Sequence, residues 1–154
     1  MRRSVGAGDR KNCWRRRARG LAEAGHDLFA RAEGNFDYRT AQSAARELFA
    51  TSRRPDAVFV ANDHMAFAVM DVLRFELGLR IPEDVSVVGF DDVPPAAWPA
   101  YNLTTFRQRV DVMVSETVSM LTNWIAAKEP ETAHVVLGGE LIIRGSTRRY
   151  GDSR

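Results

Sequence analysis

The sequence predicts an α/β fold, a parallel sheet with helices on both faces. Ala57 to Ala61 and Val85 to Phe90 are short continuous apolar runs, with the length and composition of strands covered on both sides. The stretches around them repeat apolar residues at helical spacing. Helix and strand alternate along the chain, the order expected of strand-helix-strand units.

Taken in order, residues 1–10 have no period and are expected to be a disordered basic terminus. From Lys11 to Ala24, Trp14, Ala18, Leu21 and Ala22 recur at helical spacing, and Gly25 stands where a glycine commonly ends a helix. His26 to Ala32 is expected to be a strand, broken by Gly34 and Asn35. Ala41, Ala44, Ala45, Leu48 and Phe49 then line one face of an amphipathic helix that ends before Pro55.

After the strand at Ala57, Asn62 has the position of an N-cap for a helix from Asp63 to Leu77, with Gly78 as its stop. This helix carries two apolar arcs, one of Met65, Val69, Met70, Leu73 and Leu77, the other of Ala68, Val72 and Phe75. Packing on a sheet uses one arc, so the second calls for another protomer or a neighbouring segment of the same chain. Arg80 to Asp84 is a turn, and the strand Val85 to Phe90 leads into a loop rich in proline and aromatics, with Trp98 and Tyr101 near its tip. Leu103 to Phe106 is a short extended piece. Val110 to Ala127 is a long helix with an apolar side, and the last strand runs around Gly138 and Gly139 before a frayed tail at 148–154.

Composition narrows the function. The chain has 154 residues, 45% hydrophobic and 27% charged, an ordinary globular balance, with a net charge of +2. Eight of the first twenty residues are Lys or Arg, but this basic run carries no DNA-binding motif. No apolar run approaches the roughly 20 residues of a membrane span and no apolar core of a signal peptide follows the basic start, so a cytoplasmic location is expected. Cys13 is the single cysteine, which excludes an internal disulfide, and His26, His64 and His134 belong to no metal-binding pattern. No metal and no cofactor are expected.

The polar candidates are Arg17, Asn62 and Asp91, with the aromatic Phe36. A guanidinium fork, an amide and a carboxylate grip hydroxyl groups, and an aromatic ring can stack on a sugar. In an open parallel sheet such groups at the carboxyl ends of strands face one cleft. Each also has a plainer reading: Asn62 as a cap, Asp91 and Asp92 as turn residues, Arg17 as a solvated charge, Phe36 as core. There is no GxSxG sequence and no nucleophile with a base, so an enzyme is not expected.

The segment RPDAVFVANDHMAFAVMDVLRFELGLRIPEDVSVVGFDDVP from Arg54, followed by LTTFRQ and ELIIRGST, resembles the effector-binding domain of LacI/GalR-family transcriptional regulators, which has the periplasmic-binding-protein type I fold. Arg17-Ala18-Arg19-Gly20 looks like that family's RxxG segment. The resemblance implies effector contacts, usually to a sugar, at Arg17, Phe36, Asn62 and Asp91, with Gln108 at the crossover between two subdomains. It implies a homodimer surface containing Phe67, Val72, Phe75 and Trp98. It also implies that residues 11–147 are a partial effector domain, that DNA is reached only through a helix-turn-helix domain that does not precede Met1, and that the helix Val110 to Ala127 belongs to a missing subdomain. Such a chain is expected to be poorly stable or to associate. The alternatives are a periplasmic-type sugar-binding protein for uptake and a truncated relic without function.

Overall fold

A computed structural model describes residues 19–127 and 135–148. The chain divides into two compact units, Met1–Ala32 and Glu33–Arg154.

In the first unit, residues 19–23 are helical, with Arg19 paired to Glu23 at 2.8 Å. The helix closes in a Schellman arrangement: His26 N–H donates to Leu21 C=O and Gly25 N–H to Ala22 C=O, with Gly25 at φ +76°. The strand expected at His26 to Ala32 does not form. These residues adopt no regular element and Leu28 and Phe29 stay half exposed, because an apolar run becomes a strand only when a ladder accepts its backbone groups. Cys13 and Trp14 lie outside the described residues, as do residues 1–10 and His134.

The second unit holds the sheet. Its strands are β1 (Ala57–Phe59), β2 (Ser86–Asp91), β3 (Thr104–Gln108) and β4 (Gly139–Ile142), in the order β1-β2-β3-β4. The first three are parallel, with Phe59 opposite Val88, Val88 opposite Thr104, and Asp91 opposite Arg107. β4 is antiparallel to β3, with Leu141 opposite Phe106, so the sheet is mixed rather than wholly parallel. Local sequence gives a strand its pleat but not its direction.

Helix α1 (Tyr38–Phe49) begins at Asp37, whose Oδ1 accepts from the Thr40 N–H and hydroxyl, each at 2.7 Å. It buries Ala41, Ala45 and Phe49, and the forked Arg46–Glu76 pair (2.6 and 2.7 Å) and the Tyr38–Asp71 hydrogen bond (2.7 Å) fasten it to the next helix. That hydrogen bond, with burial second, pushes the Tyr38 phenol up to about 12. Helix α2 (Asp63–Asp71) starts at Asn62, whose Oδ1 accepts from the Met65 N–H at 2.9 Å. It continues as a π-helical turn through Val72–Glu76.

Every residue from Met65 to Met70 is buried. Ala68 and Val72 of the second apolar arc are covered within this chain, whereas Phe75 is not. Phe67 stacks on Tyr101 of the β2–β3 loop, ring centres 4.2 Å apart, and Val72 has no exposed surface. Of the residues expected at a homodimer surface, Phe67 and Val72 are buried within this chain, whereas Phe75 (82% exposed) and Trp98 (56%) are at the surface.

Asp63 ties helix to sheet. Its carboxylate is fully buried, accepting from the Thr105 hydroxyl of β3 at 2.6 Å and from the Val93 N–H after β2 at 3.0 Å. A negative charge at a helix N-terminus is also favoured by the helix dipole. Gly89 of β2 makes room for it, since a Cβ there would lie 2.2 Å from Asp63 Oδ1.

Helix α3 (Val110–Ala127) buries none of its residues, and Val114, Val118 and Ile125 are more than half exposed. An apolar stripe at helical spacing that meets no covering surface is what the sequence leads one to expect of this segment.

Two stability outcomes follow. Asp63→Ala leaves the Thr105 hydroxyl and the Val93 N–H without their acceptor and should cost about 2 to 3 kcal/mol in urea denaturation. Replacing Val118 and Leu121 together by Glu should change that free energy by less than about 0.5 kcal/mol, since both side chains are about half exposed and neither belongs to the core.

Candidate functional site

The parallel strands β1, β2 and β3 all run toward one edge of the sheet, and each is followed there by a polar residue singled out by the sequence. β1 leads through Val60 and Ala61 to Asn62, β2 ends at Asp91 and β3 at Gln108. The register places Asp91 opposite Arg107, next to Gln108, and the Gln108 Nε2–H donates to Asp91 Oδ1 at 2.7 Å. This bond joins two of the predicted contact residues.

Asn62 is half buried, and its cap bond uses only Oδ1. The amide NH2 group remains to donate to a ligand, so capping and binding do not compete. Asp91 is half buried as well. Burial pushes its carboxyl up, the Gln108 hydrogen bond opposes this, and the neighbouring charges of Asp63 and His64 act in opposite senses. Its proximity to His64 brings in a residue that sequence spacing considered only for metal binding: an exposed imidazole in the first turn of α2, edge-on to Phe67 at 6.1 Å.

The two aspartates that end β2 have different surroundings. Asp92 is held by two guanidinium groups, Arg144 Nη2 to Oδ1 and Arg107 Nε to Oδ2, both at 2.6 Å, with only 6% of its side chain exposed. Burial would push its carboxyl up, but the two arginines outweigh this and hold it below the usual aspartate range. Asp92 is a structural tie, whereas Asp91 accepts a single hydrogen bond, on Oδ1 from Gln108. Both are in the left-handed region, φ 123° and 60°, where non-glycine residues are held only by their surroundings.

Phe36 shares that feature, φ 56°, next to Asn35 at 49°. It projects from the turn closed by Asp37 N–H to Gly34 C=O, 66% exposed, which removes the reading of Phe36 as core. Gly34 brings this turn against the first turn of α2, since a Cβ there would lie 2.6 Å from Met65 Sδ. Arg17 lies outside the described residues. Asn62, Asp91 and Gln108 thus share one sheet edge, with the Phe36 turn against the helix that starts there.

A hollow lies toward the opposite end of the strands. It is lined by residues including Pro82, Asn102, Arg144, Gly145 and Arg148, all near the starts of β2 and β3 or the end of β4. Among the described residues no cluster of three or more His, Cys, Asp or Glu is placed to hold a metal ion, and no helix is long and apolar enough to cross a membrane.

An open α/β sheet with amide and carboxylate groups at the carboxyl ends of its strands is the architecture in which ligands commonly bind at that edge. Comparison with known proteins gives the family. The family described as periplasmic binding protein-like domain matches residues 3–147. The HTH-type transcriptional repressor PurR of Vibrio vulnificus is 37% identical over 117 residues, 76% of this chain and 35% of that protein. The HTH-type transcriptional regulator CelR of Thermobifida fusca is 37% identical over 113 residues, 73% of this chain and 33% of that protein. Among solved structures, the transcriptional regulator CelR–cellobiose complex superposes with a TM-score of 0.76 at 35% identity, covering 83% of this chain and 39% of that one. The Lac repressor bound to ONPG gives 0.78 at 26% identity, with 90% and 40% covered. The chain belongs to the periplasmic binding protein-like domain family, and its relatives are LacI-type transcriptional regulators rather than enzymes. It spans about a third of the length of the curated relatives it matches.

The depressed Asp92 carboxyl sets a pH dependence. Its ion pairs are fully formed above the unfolded aspartate value of about 3.9 and are lost as pH falls through the lower folded value, so stability should fall on acidification below about pH 4. Asp84, held at about 2 by hydrogen bonds from Arg80, contributes to the same acid limb. The difference between the native chain and Asp92→Asn isolates the Asp92 contribution: urea midpoints measured from pH 6 to pH 2.5 should converge as pH falls.

Proposed function

We propose that this chain is the effector-binding portion of a LacI-type transcriptional regulator, a cytoplasmic binding module that takes a sugar or related polyol and performs no catalysis. The observation that supports the reading is that Asn62 and the hydrogen-bonded pair Asp91–Gln108 lie at one sheet edge, each with hydrogen-bonding capacity to spare. Asp91 would accept from paired hydroxyls, Asn62 and Gln108 would bridge neighbouring ones, and Phe36 would stack on the apolar face of the sugar ring, with Arg17 adding its fork of donors. A relative, CelR, has been solved with cellobiose, and this makes a β-linked disaccharide the first ligand to try.

Gln108 sits two residues before α3 begins, with Arg109 between. A ligand that engages Gln108 can therefore bias the direction in which the chain leaves the sheet. A difference in affinity between two such arrangements is what a regulator needs to change its affinity for DNA, which it would contact through another domain. The exposed Phe75 and Trp98 are the side chains offered to a second protomer.

Thermal-shift measurements against mono- and disaccharides, cellobiose first, test the binding. A ligand at one hundred times its Kd should stabilise the chain by about 2.7 kcal/mol. Asn62→Ala and Asp91→Ala should abolish the shift; equal shifts in the variants, or no shift with any sugar, would contradict the reading.

A further inference from the structure

Asp91 and Asp92 are consecutive residues in the left-handed region, a conformation that neither side chain favours by itself. Something outside the turn must hold it, and the structure contains one arrangement suited to that. Both oxygens of Asp92 are engaged, one by Arg144 and one by Arg107, in a nearly dry setting. Each arginine is fixed in turn. Arg107 is the ladder partner of Asp91 and also approaches Glu140 of β4 at 3.8 Å. Arg144 donates through Nη1 to the Leu103 carbonyl at 2.8 Å, and its backbone N–H donates to the Thr104 hydroxyl at 2.9 Å. On the other side of the turn, the Val93 N–H is held by Asp63. The turn is clamped on both flanks, and the side chain between the clamps, Asp91, carries a single hydrogen bond, from Gln108.

We propose that the Arg144–Asp92–Arg107 triad is a positioning device for the ligand site, holding the Asp91 carboxylate at the sheet edge against Gln108. Neither arginine nor Asp92 contacts the ligand. They act through the backbone of Asp91, and ligand affinity depends on charges that the ligand never touches. The inference rests on the reading of Asp91 as a ligand contact, but the placement of Asp91 can be tested without any ligand.

The test uses the 154-residue chain and the variants Asp92→Asn and Arg107→Gln, the second being milder because Arg107 is half exposed. NMR would follow the Gln108 side-chain amide and the titration of the Asp91 carboxyl, whose charged and polar neighbours are Asp63, His64 and Gln108. In both variants the Gln108 amide signals should move toward free-amide positions and the Asp91 midpoint should fall toward that of a solvated aspartate, while the amide signals of Met65 to Met70 keep their dispersion. Affinity for cellobiose, measured by calorimetry, should weaken roughly tenfold or more, the scale of one hydrogen bond to a charged group. Unchanged Gln108 and Asp91 signals in Arg107→Gln, with the fold intact, overturn the proposal. Displaced signals in a chain whose cellobiose binding is indifferent to Asp91→Ala leave the positioning device standing and remove the ligand reading instead.

Discussion

A single buried carboxylate fixes the geometry on which the rest of this molecule depends. Asp63 sits in the first turn of α2 with no exposed surface, accepting from a hydroxyl on β3 and from a backbone N–H just after β2. A buried charge is tolerated only when hydrogen bonds replace its water, and here those bonds come from two different segments of the sheet layer. The helix start, the end of β2 and the middle of β3 are therefore brought to one place. Gly89 is the complementary condition, since a side chain at this position of β2 would occupy the space of the carboxylate.

That anchor allows adjacent acids to serve different ends. Asp63 and Asp92 are consumed by structure, one by neutral donors and the other by two arginines. Asn62 and Asp91, their immediate neighbours in sequence, retain free hydrogen-bonding capacity at the same edge. Rigid neighbours let these two be held in place at little further loss of conformational entropy when a ligand arrives, which is how preorganisation raises affinity. The pattern of a fully engaged acid beside a polar residue with spare hydrogen-bonding capacity occurs twice, at Asn62-Asp63 and at Asp91-Asp92, in opposite order.

The elements that could be read from the sequence were those with local causes. The start of α2 at Asn62, the strands at Ala57 and Ser86 and the helix Val110–Ala127 follow from caps, apolar runs and helical spacing. What could not be read depends on distant partners. The antiparallel direction of β4, the cover that Tyr101 gives Phe67, and the arginines on Asp92, 15 and 52 residues away, leave no local trace. The stretch from His26 to Ala32 failed for the complementary reason: it has the composition of a strand but forms no ladder. The sequence singled out Asn62, Asp91 and Gln108, and the structure places them at one sheet edge, whereas the different surroundings of Asp91 and Asp92 needed the side-chain geometry.

The central claim is that the edge formed by Asn62, Asp91 and Gln108, and not the hollow around Pro82 and Gly145, receives the ligand. Backbone NMR mapping that includes the carbon signals, during a titration with cellobiose, addresses it most directly, because both places report at once. The account predicts shifts concentrated at residues 62–64, 91–92 and 106–108 and at Phe36. Shifts centred on residues 82, 102 and 143–148, with the first group unmoved, would contradict it.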